Sequence, residues 1–398
     1  GAKVSSVQAQ YFDSQAVDHF DNTNNAMWSQ RYFVNASLFK KEAGAPVFLC
    51  VGGEGPGFTG DVVVSGSVHC ADLILAAAEH NALILALEHR FYGYSLPTAD
   101  LKTENLRYLS SRQALADLAT FAAFIRDKYS LTDDNRWVTF GGSYPGMMSA
   151  WFRYKYPHLV FASVSSSSPV QAQLDFKGYN DVVAQSLAAK SVGGSGECAA
   201  AVQSAFAALG RNLTTSAGRD GIAKEFSVCE GSKGLISLED QTVFVETISE
   251  VFPIQSNDPA CTEDLCNIEK LCSRMTDASA GEEAVSRLIS VVADMLGPGE
   301  CIDTSYSAQI KSLADTSGKL PLDGDRSWMW QTCTEFAFYQ TCERDSDCPF
   351  FTHSSLYNLE SFTAQCESLF GINPVDIPPA VAESNLRTGG GGPAPHRT

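Results

Sequence analysis

Basic residues are scarce in this 398-residue chain: 28 Lys and Arg stand against 46 Asp and Glu, a formal net charge of −18. That balance argues against nucleic acid or anionic membrane as the principal partner. It suits a soluble protein working in an acidic lumen, where some carboxylates are protonated. Long apolar runs are also missing. The best candidate, Leu73 to Leu87, is broken by Glu79, His80 and Asn81, so no membrane span is expected. There is no Cys-x-x-Cys pair, and histidines number only seven. Twelve cysteines in even number therefore fit disulfides better than zinc. No charged-then-apolar leader precedes Gly1, so a signal peptide is expected to have been removed or not included. Internal repeats are absent as well.

What is present divides the chain. Over the first 170 residues, Pro46–Val51, Ala82–Leu87, Trp137–Phe140 and Val160–Val164 read as buried strands. Leu73–Glu79 reads as helix, and Ser110 with Gln113 forms a capping box for a helix from Ser111 to about Tyr129. Short apolar strands separated by helices predict a parallel sheet covered on both faces, an α/β architecture. From about residue 171 strand alternation becomes scarce. Cys198, Ala201, Val202, Ala205, Phe206 and Leu209 share one helical face; so do Val285, Leu288, Ile289, Val292, Met295 and Leu296. The expected organisation is 1–170, the N-terminal part of the α/β domain; 171–325, a helical, disulfide-bearing insertion; 326–380, a return to the first domain; and 381–398, a truncated or disordered tail ending in GGGGPAPHRT. Two sequons, at Asn35 and Asn212, agree with an oxidising secretory route.

The most informative stretch is GGSYPG at 141–146. It places Ser143 between a strand and a helix read over Met147–Tyr156, the context of a nucleophile elbow. Gly141, Gly142 and Gly146 suit a tight turn with close strand–helix approach. The N–H of Tyr144 would supply one oxyanion donor, and the loop GGEGPG at 52–57, with Gly53 and Glu54, a second. Pro145 stands where the usual pattern has its second glycine. A Gly-Gly-Ser turn without catalytic role is the plain alternative. A serine hydroxyl also needs a histidine to take its proton and an acid to orient that histidine.

Five ordered blocks carry a more specific resemblance: SQRYFVN (29–35), EHRFYGYSLP (88–97), NLRYLSSRQALADLATF (105–121), GGSYPGMMSAWFRYKYPH (141–158) and WMWQTCTEFAFYQTC (328–342). Together they resemble one serine exopeptidase family, that of lysosomal Pro-X carboxypeptidase, dipeptidyl peptidase II and thymus-specific serine peptidase. The resemblance runs from about residue 10 to residue 390. It implies an α/β-hydrolase fold with a helical cap insertion, and removal of residues from peptide ends beside proline. It further implies proline-containing peptide partners, no metal or organic cofactor, a secreted or lysosomal (vacuolar) location, and a homodimer as one form such proteins take. Matched by position, Ser143 is the nucleophile and Tyr144 the oxyanion N–H. Gly53 and Glu54 border the oxyanion site, and Met147 and Trp330 face substrate. The block Glu88-His89-Arg90 is structural in this family, against the tempting reading of His89 as base. Trp328, Gln331 and Glu335 are packing and polar support.

The departure lies at the C-terminal end. The family carries its acid in an Asn-Gly…Asp-Pro-Trp block and its histidine on a later loop, and neither occurs here. The last strands of the sheet are accordingly expected to be truncated, leaving an open edge. After Ser143 the histidines are His158, His353 and His396, none of them suited to be the base. The chain is then a damaged record of an active peptidase, a fragment that pairs with another chain, or an incomplete relative that binds peptides without turnover. A lipase or esterase on the same scaffold is a further alternative. No residue here decides between carboxypeptidase and dipeptidyl peptidase.

Overall fold

A computed structural model gives the fold and describes residues 7–65, 70–254, 257–351 and 357–389. The chain forms two compact units: the first comprises residues 1–172, 313–337 and 370–398, the second 173–312 and 338–369.

In the first unit β1 (Gln10–Ala16) and β2 (Met27–Asn35) form an antiparallel pair. They are followed by β3 (Val47–Val51), α1 (Ala71–His80), β4 (Leu83–Leu87), α2 (Thr103–Leu106), α3 (Ser111–Tyr129), β5 (Trp137–Gly142), α4 (Ser143–Lys155) and β6 (Ala162–Ser166). The sheet order is β1-β2-β4-β3-β5-β6. β2 runs antiparallel to β4, whereas β3 pairs in parallel with β4 and β5, and β5 with β6. The runs VFLCV and LILAL are buried at every residue, as strands covered on both faces require. At the edge, β6 leaves Val164 36% exposed. α3 starts where the capping box places it, with Ser110 Oγ accepting from the Gln113 N–H at 3.2 Å.

The chain then passes through β7 (Gln173–Asp175), α5 (Gly178–Ala188), α6 (Gly196–Leu213), α7 (Ser216–Glu225), α8 (Leu238–Ser249), α9 (Ile268–Thr276), α10 (Ala284–Leu296) and α11 (Tyr306–Leu313). Their apolar faces close on one core that includes Phe206, Leu209, Phe244, Ile248, Leu271, Leu288 and Val292. Cys198–Cys272 ties α6 to α9, and Cys229–Cys301, Cys261–Cys266 and Cys342–Cys348 bridge loops. In the first unit Cys50 pairs with Cys70, and no cysteine is left free. Beyond α11 come α12 (Asp325–Gln331), a π-helical turn over 332–336, β8 (Ala337–Tyr339), α13 (Leu359–Phe370) and α14 (Ile377–Thr388).

α14 corrects the reading of 381–398 as a tail. Residues 381–388 are helical, and Pro378 and Pro379 lie in the first turn, where the missing N–H has no partner to lose. Asn385 fixes the helix by donating to the Ala172 carbonyl and accepting from the Ala172 N–H, both at 2.8 Å. Residues 390–398 lie outside the described residues. The sequons also differ. Asn35 Nδ2 donates to the Val63 carbonyl at 2.9 Å, while Asn212 is exposed near the end of α6.

One buried ion pair locks the first unit. Arg90 binds Asp117 through Nε and one terminal nitrogen, each at 2.6 Å. Its remaining donors reach the carbonyls of Ala16, Val17 and Tyr108. All five guanidinium donors are thus used, and β1, α3 and the end of β4 are pinned to one another. Removing one partner of such a pair strands the other charge, so Asp117→Asn is expected to cost about 3–5 kcal/mol in denaturant unfolding; a loss under about 1 kcal/mol would show that Arg90 is solvated by other means.

Candidate active site

β5 hands over to α4 at Ser143, which sits at φ 56, a left-handed conformation uncommon outside glycine. The turn forces the serine side chain outward: Ser143 is exposed, whereas Tyr144 is 1% exposed. Two glycines make the crossing possible. A Cβ at Gly141 would lie 2.3 Å from the Pro145 carbonyl oxygen, and one at Gly146 would lie 1.9 Å from Ser168 Oγ. Gly142 is different from the expectation: it is extended, and the nearest atom to a Cβ there is 3.8 Å away. Close approach therefore needs two of the three glycines.

Beneath the turn lies a buried polar chain. His89 Nδ1–H donates to the Arg90 carbonyl at 2.7 Å, which leaves Nε2 to accept from the Tyr144 hydroxyl at 2.8 Å. The same hydroxyl accepts from Gln331 Nε2 at 2.9 Å, and Gln331 Oε1 accepts from Tyr92 at 2.6 Å. One residue pair further, Glu335 takes the N–H and hydroxyl of Ser111 at the start of α3. Burial pushes His89 down to about 4, so the ring is neutral, as this hydrogen-bond pattern demands. The same cause raises Glu335. Sequence reasoning chose Tyr144 for its N–H and missed the work of its side chain, a long-range pairing that local spacing does not reveal.

The glycine-rich loop lies against this turn. A Cβ at Gly53 would come within 2.4 Å of Pro145 Cγ. Next to it, Glu54 is pushed up to about 7 by burial, partly offset by its own N–H, the Ser143 hydroxyl and the Tyr144 N–H. Its Oε2 is buried without a hydrogen-bond partner.

A strained, exposed serine between a parallel strand and a helix, flanked by a glycine loop, is the layout of an α/β-hydrolase nucleophile. Comparison with known proteins agrees. The sequence model described as Serine carboxypeptidase S28 matches residues 15–391. The chain belongs to that family. It is 37% identical to the thymus-specific serine protease of Homo sapiens over 96% of this chain and 73% of that protein. The lysosomal Pro-X carboxypeptidase of Homo sapiens is 27% identical over 92% of this chain and 71% of that one. Among solved structures, feruloyl esterase B from Aspergillus oryzae aligns with 96% of this chain and 70% of that one at 12% identity, with a TM-score of 0.30, too loose a likeness to add to the assignment. As a member of the S28 family, the chain is a serine-peptidase hydrolase on an α/β-hydrolase fold, with peptides as its substrates.

Other residues that the resemblance placed at the site lie differently. Met147, in the first turns of α4, has no exposed surface. Trp330 turns its indole N–H to the Leu109 carbonyl at 3.2 Å and its ring to Phe370. Trp328, two residues earlier, is the indole beside Tyr144, with ring centroids 5.8 Å apart. A helix advances about 100° per residue, so two positions decide which side a tryptophan takes. Of the described histidines, His19 binds Asp117, His89 binds Tyr144, and His80 and His158 are exposed. None of these bonds Ser143, and His69, His353 and His396 lie outside the described residues. No helix among the described residues is long and apolar enough to cross a membrane.

His89 generates a pH prediction. Unfolded, it binds a proton below its ordinary 6.5; folded, only below about 4. Its burial therefore destabilises the fold progressively as pH falls through that window. His89→Gln should gain stability relative to wild type between pH 6.5 and pH 4, by about 3 kcal/mol at most. Parallel melting curves across that range check it; a constant difference would mean that the ring titrates normally.

Proposed function

We propose that this protein removes residues from peptide ends by cleaving beside proline, in a secreted or lysosomal lumen, with Ser143 as nucleophile. The observation that carries the reading is Ser143 itself, exposed at φ 56 behind the parallel strand β5 of a serine-peptidase family member. Its Oγ would attack the scissile carbonyl, forming the acyl bond as the carbonyl electrons move onto oxygen. The Tyr144 N–H and a backbone N–H of the Gly53–Glu54 loop would hold that oxyanion, each such donor being worth about 100- to 1,000-fold in rate. The reading assigns the base that takes the Ser143 proton, and the acid that orients it, to groups outside the described residues.

The proline preference is supported by the likeness to proteins named lysosomal Pro-X carboxypeptidase. The disulfides and the exposed Asn212 support an oxidising lumen and a glycoprotein. Incubation with proline-containing peptides at pH 5, followed by mass analysis of products, tests the reading. Ser143→Ala should lower the rate at least about 1,000-fold; a variant that keeps its rate overturns the assignment. Loss of one C-terminal residue would mark a carboxypeptidase, and loss of an N-terminal pair a dipeptidyl peptidase.

A further inference from the structure

We propose that Gln331 is a positioning residue for the reaction: its side-chain amide, at the end of α12, holds at a fixed spacing the two tyrosines that support the two halves of the oxyanion site. The inference rests on Ser143 being the nucleophile, with the Tyr144 N–H and the Gly53–Glu54 loop serving its oxyanion, and adds the group that sets those donors.

The first half is Tyr144, the residue after the serine. Its buried side chain ends in a hydroxyl that accepts from Gln331 Nε2 at 2.9 Å. The hydroxyl proton is committed elsewhere, to His89 Nε2 at 2.8 Å, because the Nδ1–H of that ring is spent on the Arg90 carbonyl. The second half is the loop at 52–57, and Tyr92 lies against it. Tyr92 lines one small cavity with Gly52, Gly53 and Glu54. Its neighbour Gly93 approaches the loop so closely that a Cβ there would lie 2.6 Å from Gly57 Cα. The Tyr92 hydroxyl donates to Gln331 Oε1 at 2.6 Å. One amide therefore spends its oxygen on the loop side and its nitrogen on the elbow side. Each tyrosine ring is rigid between hydroxyl and backbone, so fixing both hydroxyls fixes the spacing of both backbones.

α12 is anchored so as to hold the amide there. A Cβ at Gly324, its N-cap, would lie 3.0 Å from the Tyr92 ring and 3.3 Å from the Gly55 nitrogen. One turn on, Ser327 Oγ donates to the Phe91 carbonyl at 2.9 Å. Past Gln331 the helix widens into the π-helical turn over 332–336, a form frequent at functional sites, and leaves it through Ala337 at φ 54. That turn carries Glu335, whose Oε2 accepts from Gln331 Nε2 at 3.3 Å and so settles which end of the amide faces Tyr92. Oxyanion donors act by being in place before charge develops. Loosening their spacing should weaken binding of a tetrahedral anion far more than binding of an uncharged ligand.

A proline boronic acid and the matching proline amide separate the two. The boron accepts a bond from Ser143 Oγ, the serine proton leaves to solvent, and the tetrahedral boronate carries the negative charge; the amide forms no bond. Affinities for both are measured by calorimetry at pH 5 for wild type, Gln331→Met, Gln331→Glu, Tyr144→Phe and Ser143→Ala, with melting curves confirming that each is folded. Gln331→Met keeps the length and removes the hydrogen bonds; it should lose about tenfold or more in boronate affinity and less than about twofold in amide affinity. Tyr144→Phe should show the same split. Gln331→Glu, protonated in this buried setting at pH 5, offers one donor and one acceptor and should stay within about threefold of wild type for the boronate. Equal losses for the two ligands, an undiminished boronate affinity in Gln331→Met, or a Gln331→Glu variant as weak as Gln331→Met overturns the positioning role and leaves Ser143 in place. Undiminished boronate binding by Ser143→Ala overturns the nucleophile assignment, and the positioning role with it.

Discussion

Ser143 holds a left-handed backbone conformation that costs a residue with a side chain about 1–3 kcal/mol, and much of the first unit is arranged so that it cannot relax. The serine itself is exposed. The restraint comes from its neighbours. Gly141 and Gly146 let the strand and helix backbones close to distances that a methyl group would forbid. Tyr144 is buried and bonded at its hydroxyl by His89 from one side and Gln331 from the other. A first helical turn fixed through Tyr144, the residue after the serine, leaves the serine only the conformation that turns its hydroxyl outward.

That restraint is passed outward through groups distant in sequence. His89 belongs to the segment after β4, and its neighbour Arg90 is bound to Asp117 of α3 and to carbonyls at the end of β1. Gln331 belongs to α12, and Glu335, four residues later, caps the start of α3 through Ser111. Buried polar networks of this kind are costly when half satisfied and specific when complete. Here the donors of Arg90 and the ring nitrogens of His89 are each matched. The block Glu88-His89-Arg90 therefore does three separate structural jobs, since Glu88 accepts from Arg31, Ser95 and the N–H groups of Phe58 and Tyr94.

The alternation of apolar strands and capped helices made the parallel part of the sheet legible but not the antiparallel β1 and β2, and Ser110 with Gln113 marked the start of α3 to the residue. The serine turn was legible because strand, glycine and helix signals are all local. What stayed hidden depends on contacts between distant segments. Nothing near Tyr144 says that its hydroxyl meets Gln331, and nothing near Trp330 says that its indole is taken by the Leu109 carbonyl rather than facing Tyr144. Residues 381–388 read as tail because composition does not tell the end of a helix from a linker; the bonds between Asn385 and Ala172 hold them as helix. The serine-peptidase assignment came from family blocks rather than from spacing, and those blocks mark the frame around the serine more fully than they mark a substrate pocket.

The site's two strongly displaced groups oppose each other. His89 is lowered from 6.5 to about 4 and Glu54 is raised from 4.5 to about 7, both by burial. A lowered base holds its stability above its unfolded value and loses it as pH falls; a raised acid holds its stability below its unfolded value and loses it as pH rises. Between roughly pH 4.5 and pH 6.5 the unfolded chain has a proton on the histidine and none on the glutamate, whereas the folded chain has the reverse. Unfolding then moves a proton between the two sites without net uptake, and their contributions to the pH dependence of stability nearly cancel. Burying one base and one acid beside each other's network makes the elbow's frame insensitive to pH in the mildly acidic range. Within that range the folded chain keeps Glu54 protonated and His89 neutral, and the fold that holds Ser143 in its strained conformation is not disturbed.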